Sequence, residues 1–222
     1  MTLTFSTQPG PRERQLQRRW NNPLFISSGP VTQQDIQTAQ QQDQKAMQDF
    51  MERFREVVQR AVKLDKQVES DVLLALKAQL EQLYTVSTGL PGQQPTIPDA
   101  IKKLISTISK TLHATSKDDA HATEKLLEEE QHTTLHLRIC NHVIVSDILN
   151  PDGIIGENEL IPTLLSESED ALQAALMLFS PEQQEIMVAE GKALLKQVEA
   201  DGHNLPVAWQ RLSQMEKWKK GE

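Results

Sequence analysis

Apolar residues recur at helical spacing over much of the first half of the chain. From Met47 to Val68 they alternate at steps of three and four residues, which is the heptad pattern of a coiled-coil seam. The seam consists of Met47, Phe50, Phe54, Val57, Ala61, Leu64 and Val68. Beyond Val68 the apolar positions continue in a shifted register, as they do at a stutter in a coiled coil.

A single long helix accounts for this pattern. Residues 33–86 contain neither proline nor glycine. Thr32 and Asp35 form a variant of the capping box at the start, and a loop rich in glycine and proline begins at Gly89. We therefore predict one very long helix over about 33–86, with coiled-coil character.

Shorter helical segments follow the loop. A helix over about 97–115 carries its apolar residues on one face, and a helix over about 116–149 is apolar nearly all round in its second half. Further helix starts are predicted at Ser166, Ser180 and Pro206. Because no segment alternates as a strand would, the fold prediction is all-α. We expect an elongated helical bundle built around the long helix, with about five shorter helices.

Composition divides the chain into three regions. Residues 1–31 form a basic, Pro/Arg-rich extended arm, and residues 32–88 form the long coiled-coil-like helix. Residues 89–222 form a helical bundle, which we expect to pack on the long helix as one folded unit with it.

The arm combines positive charge with a cluster of apolar residues. Its charged residues are Arg12, Arg14, Arg18 and Arg19 against Glu13, and its apolar cluster is Trp20, Leu24, Phe25 and Ile26. This pattern leaves three alternatives: docking on the acidic body of the same chain, docking on a partner, or a disordered tail. The candidate partner-binding residues in the arm and the long helix are Arg14, Arg18, Arg19, Trp20, Leu24, Phe25, Met47, Phe50 and Phe54.

Charge and cysteine content narrow the classes of partner and compartment. A formal net charge of -8 argues against nucleic acid as a partner, because phosphate binding needs a basic surface. A lone cysteine, Cys140, excludes an intramolecular disulfide and is typical of a reducing compartment. The N-terminus lacks the layout of a signal peptide, and no apolar run is long enough for a membrane span. We therefore expect a cytoplasmic protein.

One cluster of histidines suggests an alternative function. Glu129, His132, His136 and Cys140 fall on successive turns of a predicted helix, and Glu129 and His132 match half of a Glu-x-x-His di-metal motif. The second half of that motif is absent from the sequence. There is also no nucleophile elbow and no phosphate-binding glycine loop, so we assign no catalytic residue and no cofactor.

Together these patterns favour a non-catalytic protein–protein interaction module, such as a scaffold, an adaptor or a chaperone-like subunit. The arm and the long helix would carry the contacts. Its partners would be proteins, including a second copy in a homodimer or higher oligomer. The alternative is a metal-binding helical bundle that uses His132 and His136 with the nearby Glu129 and Cys140.

Overall fold

The computed structural model describes residues 8–63, 69–90, 96–115, 120–150 and 153–219. Every regular element in these ranges is a helix, which confirms the all-α prediction. The α-helices are α1 (Pro11–Arg19), α2 (Gln33–Val62), α3 (Ser70–Gly89), α4 (Thr96–Thr115), α5 (Ala120–Ile139), α6 (Val143–Leu149), α7 (Leu160–Ser166), α8 (Glu169–Leu176), α9 (Pro181–Ala200) and α10 (Pro206–Lys219). A first 3₁₀ helix spans Pro23–Ser28 and a second spans Glu157–Glu159.

The predicted long helix over 33–86 is wrong. The longest helix, α2, ends at Val62, and α3 starts at Ser70 after an extended residue, Glu69, with φ -60° and ψ 140°. Two seam positions, Leu64 and Val68, lie outside the described residues. The break coincides with the register shift in the apolar pattern. Two separate helices can each orient their own apolar face independently. One straight helix would carry the two apolar faces at a fixed angle to each other.

The predicted helix over 116–149 is also divided. It consists of α5 and α6, separated at His142, whose backbone is extended with φ -91° and ψ 130°. Ile144 and Val145 after the break are almost completely buried, but Leu149 is not. Val143 and Leu149 are both exposed, so the apolar run is not buried on all sides.

The contacts divide the chain into two units. The first, which we call the middle unit, contains Gln44–Asn141. In it α3 packs against α4, and both pack against α5. The buried apolar side chains of this unit include Leu73, Leu80, Tyr84, Ile101, Ile105, Leu112 and Cys140. The Tyr84 hydroxyl donates a hydrogen bond to the Asn141 side chain.

The second unit, which we call the terminal unit, combines Pro9–Asp43 with His142–Glu222. Here α10 packs against α9 and α7, and α8 packs against α6. The main buried side chains are Val145, Leu164, Leu165, Leu172, Leu195, Leu212 and Met215. At Gly191 the approach is close, because an added Cβ would lie 2.9 Å from Leu212 Cδ1.

The terminal unit is built from helices that are distant in the sequence. The arm shares the terminal unit with the C-terminal helices, and the boundary between the units falls inside α2, after Asp43. Within α2, the sequence neighbours Asp43 and Gln44 therefore belong to different units.

Candidate functional site

The N-terminus of α1 is capped by a residue from α2. Gly10 occupies the N-cap position and has no side chain to offer, while Pro11 supplies a fixed φ in the first turn. The Asp43 carboxylate takes the place of a local cap. It accepts hydrogen bonds from the backbone N–H of Arg12 at 3.2 Å and of Glu13 at 3.1 Å. A carboxylate at this position also interacts favourably with the helix dipole.

Glycine at position 10 allows this cap to form. A Cβ at Gly10 would overlap the carboxyl group of Asp43, so a larger residue would push α1 away from α2. Asp43 is buried, and burial raises the pKa of its carboxyl group against the opposing effect of the hydrogen bonds from Glu13 and Arg12. The Arg12 guanidinium lies 3.5 Å from Asp43 Oδ1.

Two arginines of α1 bind one buried carboxylate. Arg14 Nη2 lies 2.8 Å from Asp147 Oδ1, and Arg18 Nη1 lies 3.0 Å from Asp147 Oδ2. The Asp147 side chain is 0% exposed, so these two guanidinium groups replace its contact with water. Arg14 and Arg18 stand one turn apart on α1 and therefore point to the same side of the helix.

Three further side chains extend this contact. Arg18 Nη2 lies 2.7 Å from Glu167 Oε1, and Arg19 Nη1 lies 3.1 Å from Glu159 Oε1. The buried Gln15 side chain donates to Glu159 at 3.1 Å and to Thr163 at 3.0 Å. We call the surface formed by Asp147, Glu159, Thr163 and Glu167 the acidic site. Its three carboxylates match the three arginines of α1 that reach it.

The helix α1 is held by charge and hydrogen bonds, since only Pro11 and Gln15 are buried within it. The rest of the arm is held by apolar packing. The first 3₁₀ helix buries Leu24 and Phe25 and packs on α9. Trp20, between the two segments, is 51% exposed.

The structure places the predicted partner-binding residues in two groups. Arg14, Arg18, Arg19, Leu24 and Phe25 contact their own terminal unit, as in the self-docking alternative, whereas Trp20 lies at the surface. On α2, Phe50 is buried, while Met47 and Phe54 are half-buried. The rings of Phe50 and Phe54 stack with centroids 6.0 Å apart.

The residues that receive the arm were not among those predicted from the sequence. Asp43, Asp147, Glu159, Thr163 and Glu167 come from three separate parts of the chain. One of them had a signal in the sequence. Asp147 is the single charged residue in the apolar run 143–149, and a charge at such a position requires a partner.

The histidine cluster lies in the middle unit. His136 Nε2 lies 3.1 Å from Thr85 Oγ1 and 3.4 Å from Cys140 Sγ. The rings of His132 and His136 stack with centroids 6.4 Å apart. Burial lowers the pKa of His136 and raises the pKa of the Cys140 thiol, so both groups favour their neutral forms.

This cluster does not assemble a metal site in the part of the chain that the structure describes. Within those ranges, no three side chains of His, Cys, Asp or Glu converge closely enough to hold a metal ion. His136 and Cys140 instead contact each other and Thr85.

The comparisons with known proteins add no family. No protein-family model, curated protein or solved structure matches this chain. Among the helices that the structure describes, none combines the length and the apolar character needed to cross a bilayer.

Proposed function

We propose that this chain is a non-catalytic helical protein–protein interaction module of the scaffold, adaptor or chaperone-subunit type. The observation that supports this proposal most directly is the arrangement of the arm. Leu24 and Phe25 anchor it in the terminal unit, while Trp20 and Ile26 are each 51% exposed. Large exposed apolar side chains held in place by buried neighbours are typical of interface hot spots.

The arm therefore offers a contact surface that loses little conformational entropy when a partner binds. An interface gains affinity when its side chains are already fixed, because less conformational entropy is lost on binding. Trp20 and Ile26 lie on either side of the two buried anchors in the sequence. A protein partner that covers both would bury two large side chains on a preformed support.

The helix α2 provides a second candidate surface. Of its seam residues, Phe50 and Val57 are buried within the chain, whereas Met47 and Phe54 are only half-buried. The proposal includes self-association and a cytoplasmic location. A net charge of -8, with the arginines of α1 already bound to carboxylates, disfavours nucleic acid as a partner.

Site-specific photocrosslinking in the native host tests this proposal. A photoreactive amino acid would replace Trp20 in one variant, Ile26 in a second and the exposed Gln210 on α10 in a matched control. We expect the first two variants to yield the same protein adduct and the control to yield none. Excess wild-type chain should compete the adduct away, and a chain carrying Trp20→Ala and Ile26→Ala should not. Equal labelling at all three positions would contradict the proposal.

We do not adopt the alternative of a metal-binding bundle. Its support is the contact between His136 and Cys140 on consecutive turns of the chain. That pair lacks a third ligand among the described residues, and the remaining predicted ligands, Glu129 and His132, do not complete a site there.

A further inference from the structure

The contact between α1 and the acidic site does not depend on the two being close in the sequence. Arg14 and Asp147 are separated by 133 positions, and Gln15 and Thr163 by 148. The side chains of Arg14, Gln15, Arg18 and Arg19 each bind at least one residue of the site. A helix with the same residues would make the same contacts if it came from another chain.

The acidic site also requires an occupant of this chemistry. Without α1, Asp147 would lose both of its guanidinium partners, and an unpaired buried carboxylate is strongly unfavourable. The occupant has to present two arginines one helical turn apart, with a hydrogen-bonding side chain between them. Within this chain, α1 has that pattern at Arg14, Gln15 and Arg18.

The connection between the arm and α2 is short and lies at the surface. Gly29, Pro30 and Thr32 are exposed and Val31 is half-exposed. Gly29 has φ +73°, a conformation that few other residues adopt readily. From Ser28 to Gln33 the chain can reach at most about 18 Å when fully extended. A different path here would break few packing contacts.

We propose that the acidic site also accepts α1 of a second copy, so that this chain dimerises by exchanging residues 9–28 between protomers. The proposal rests on the interaction role given above and names its partner. The exchange keeps all contacts of the arm, because Asp43 and the acidic site belong to the same terminal unit and receive the arm together. It is isologous, and therefore closes at two copies.

The arm of a second copy would fit the acidic site because it has the same sequence as the arm that binds there. Its α1 carries the residues that bind the acidic site, and its Leu24 and Phe25 would fill the positions that those of the first copy leave. The short connection requires the two terminal units of the dimer to be neighbours. Domain exchange is favoured by short hinges of this kind.

Two complementary variants test the exchange. The first carries Arg14→Glu and Arg18→Glu, so its arm cannot dock but its acidic site is intact. The second carries Asp147→Asn, so its arm is intact but its own site no longer binds it. After mixing, we expect native mass spectrometry to detect a one-to-one heterodimer in which the intact arm occupies the intact site.

The matched control replaces the second variant with Glu190→Gln, a change at an exposed position on α9. There the intact arm also finds its own intact site, which competes for it with the site of the first variant. We expect on the order of tenfold less heterodimer with this control. Circular dichroism would first establish that all variants are helical.

Two results would overturn the exchange. One is that folded variants mix without forming a heterodimer. The other is that the first variant binds a synthetic peptide of residues 9–28 but no intact chain, which would assign the site to a foreign basic helix.

If a variant does not fold, wild-type chains with and without ¹⁵N would be mixed, warmed to the onset of melting and cooled. Absence of mixed-mass dimers would then reject the exchange. Photocrosslinked adducts of Trp20 with another protein would still support the proposed interaction function.

Discussion

Each unit contains a titratable side chain that is buried or half-buried. In the terminal unit Asp147 lies fully inside the protein and is neutralised by Arg14 and Arg18. In the middle unit His136 is half-buried and contacts Thr85 and Cys140. A buried charge that keeps its partners is tolerated, whereas burial of His136 favours its neutral form.

Protonation of His136 should destabilise the middle unit in mild acid. Burial lowers its pKa from the ordinary value of 6.5, the charge of Glu81 opposes this and His132 reinforces it. The unfolded chain therefore binds the proton at a higher pH than the folded chain does. The stabilising contribution is complete above about pH 6.5 and is lost as the pH falls from there toward the folded pKa.

Urea unfolding of wild type and His136→Gln between pH 7.5 and 5.5 would measure this effect. We expect the free energy of unfolding of wild type to fall with decreasing pH, by at most about 1.4 kcal/mol per pH unit for one proton. The slope should be smaller in His136→Gln and unchanged in His203→Gln, whose histidine is exposed. An unaltered slope in His136→Gln would assign the pH dependence to other groups.

At the scale of elements, α1 is a helix that depends on its neighbours. It has nine residues and buries two of them, and helices of that length are marginal in isolation. Its first turn is capped by Asp43, and its arginines are held by carboxylates of distant elements. The order of α1 therefore comes from its docking, and any change that shifts it away from α2 should release several contacts together.

Gly10→Ala should weaken the docking of α1. The added methyl group would overlap the Asp43 carboxyl group, and overpacking of this kind costs about 1–3 kcal/mol. The matched control is Gly156→Ala, where φ is -67° and the nearest side-chain atom would lie 3.8 Å from the new Cβ. We expect the control to be neutral or stabilising by about 0.4–1 kcal/mol.

Urea unfolding would give the free energies of both glycine variants, and limited trypsin digestion would report access to the arginines of α1. Faster cleavage in Gly10→Ala alone is the expected result. Equal cleavage and equal stability in the two variants would show that the cap from Asp43 has no influence on the arm.

At the scale of the whole molecule, the division into units can be followed spectroscopically. All three tryptophans, Trp20, Trp209 and Trp218, belong to the terminal unit. Tryptophan fluorescence therefore reports on that unit, while far-UV circular dichroism reports on the helices of both units. Leu80 in the middle unit and Leu164 in the terminal unit are each 0% exposed, so they form a matched pair for truncation.

We expect Leu80→Ala and Leu164→Ala each to destabilise the unit that contains the substitution by about 2–5 kcal/mol. Leu80→Ala should lower the urea midpoint seen by circular dichroism more than the midpoint seen by fluorescence. Leu164→Ala should lower the fluorescence midpoint. If the two probes shift together in both variants, the units unfold as one cooperative structure.

Much of the local structure followed from the sequence. The helix predicted over 97–115 is α4, and the predicted start at Ser180 is a complete capping box with Gln183. The Thr32 hydroxyl accepts a hydrogen bond from the Asp35 backbone, as the capping pattern predicts. These features depend on residues within one or two turns of each other, and periodicity and caps describe such interactions well.

Tertiary structure alone decided where the long apolar pattern breaks and where the arm docks. The break before Ser70 depends on which neighbours each stripe packs against, and the position of α1 depends on Asp43 and Asp147, 31 and 133 positions from their partners on α1. Composition made an acidic counterpart for the arginines predictable, but left open whether it lies in the same chain. That choice depends on the summed free energy of many contacts between distant residues, which no local pattern encodes.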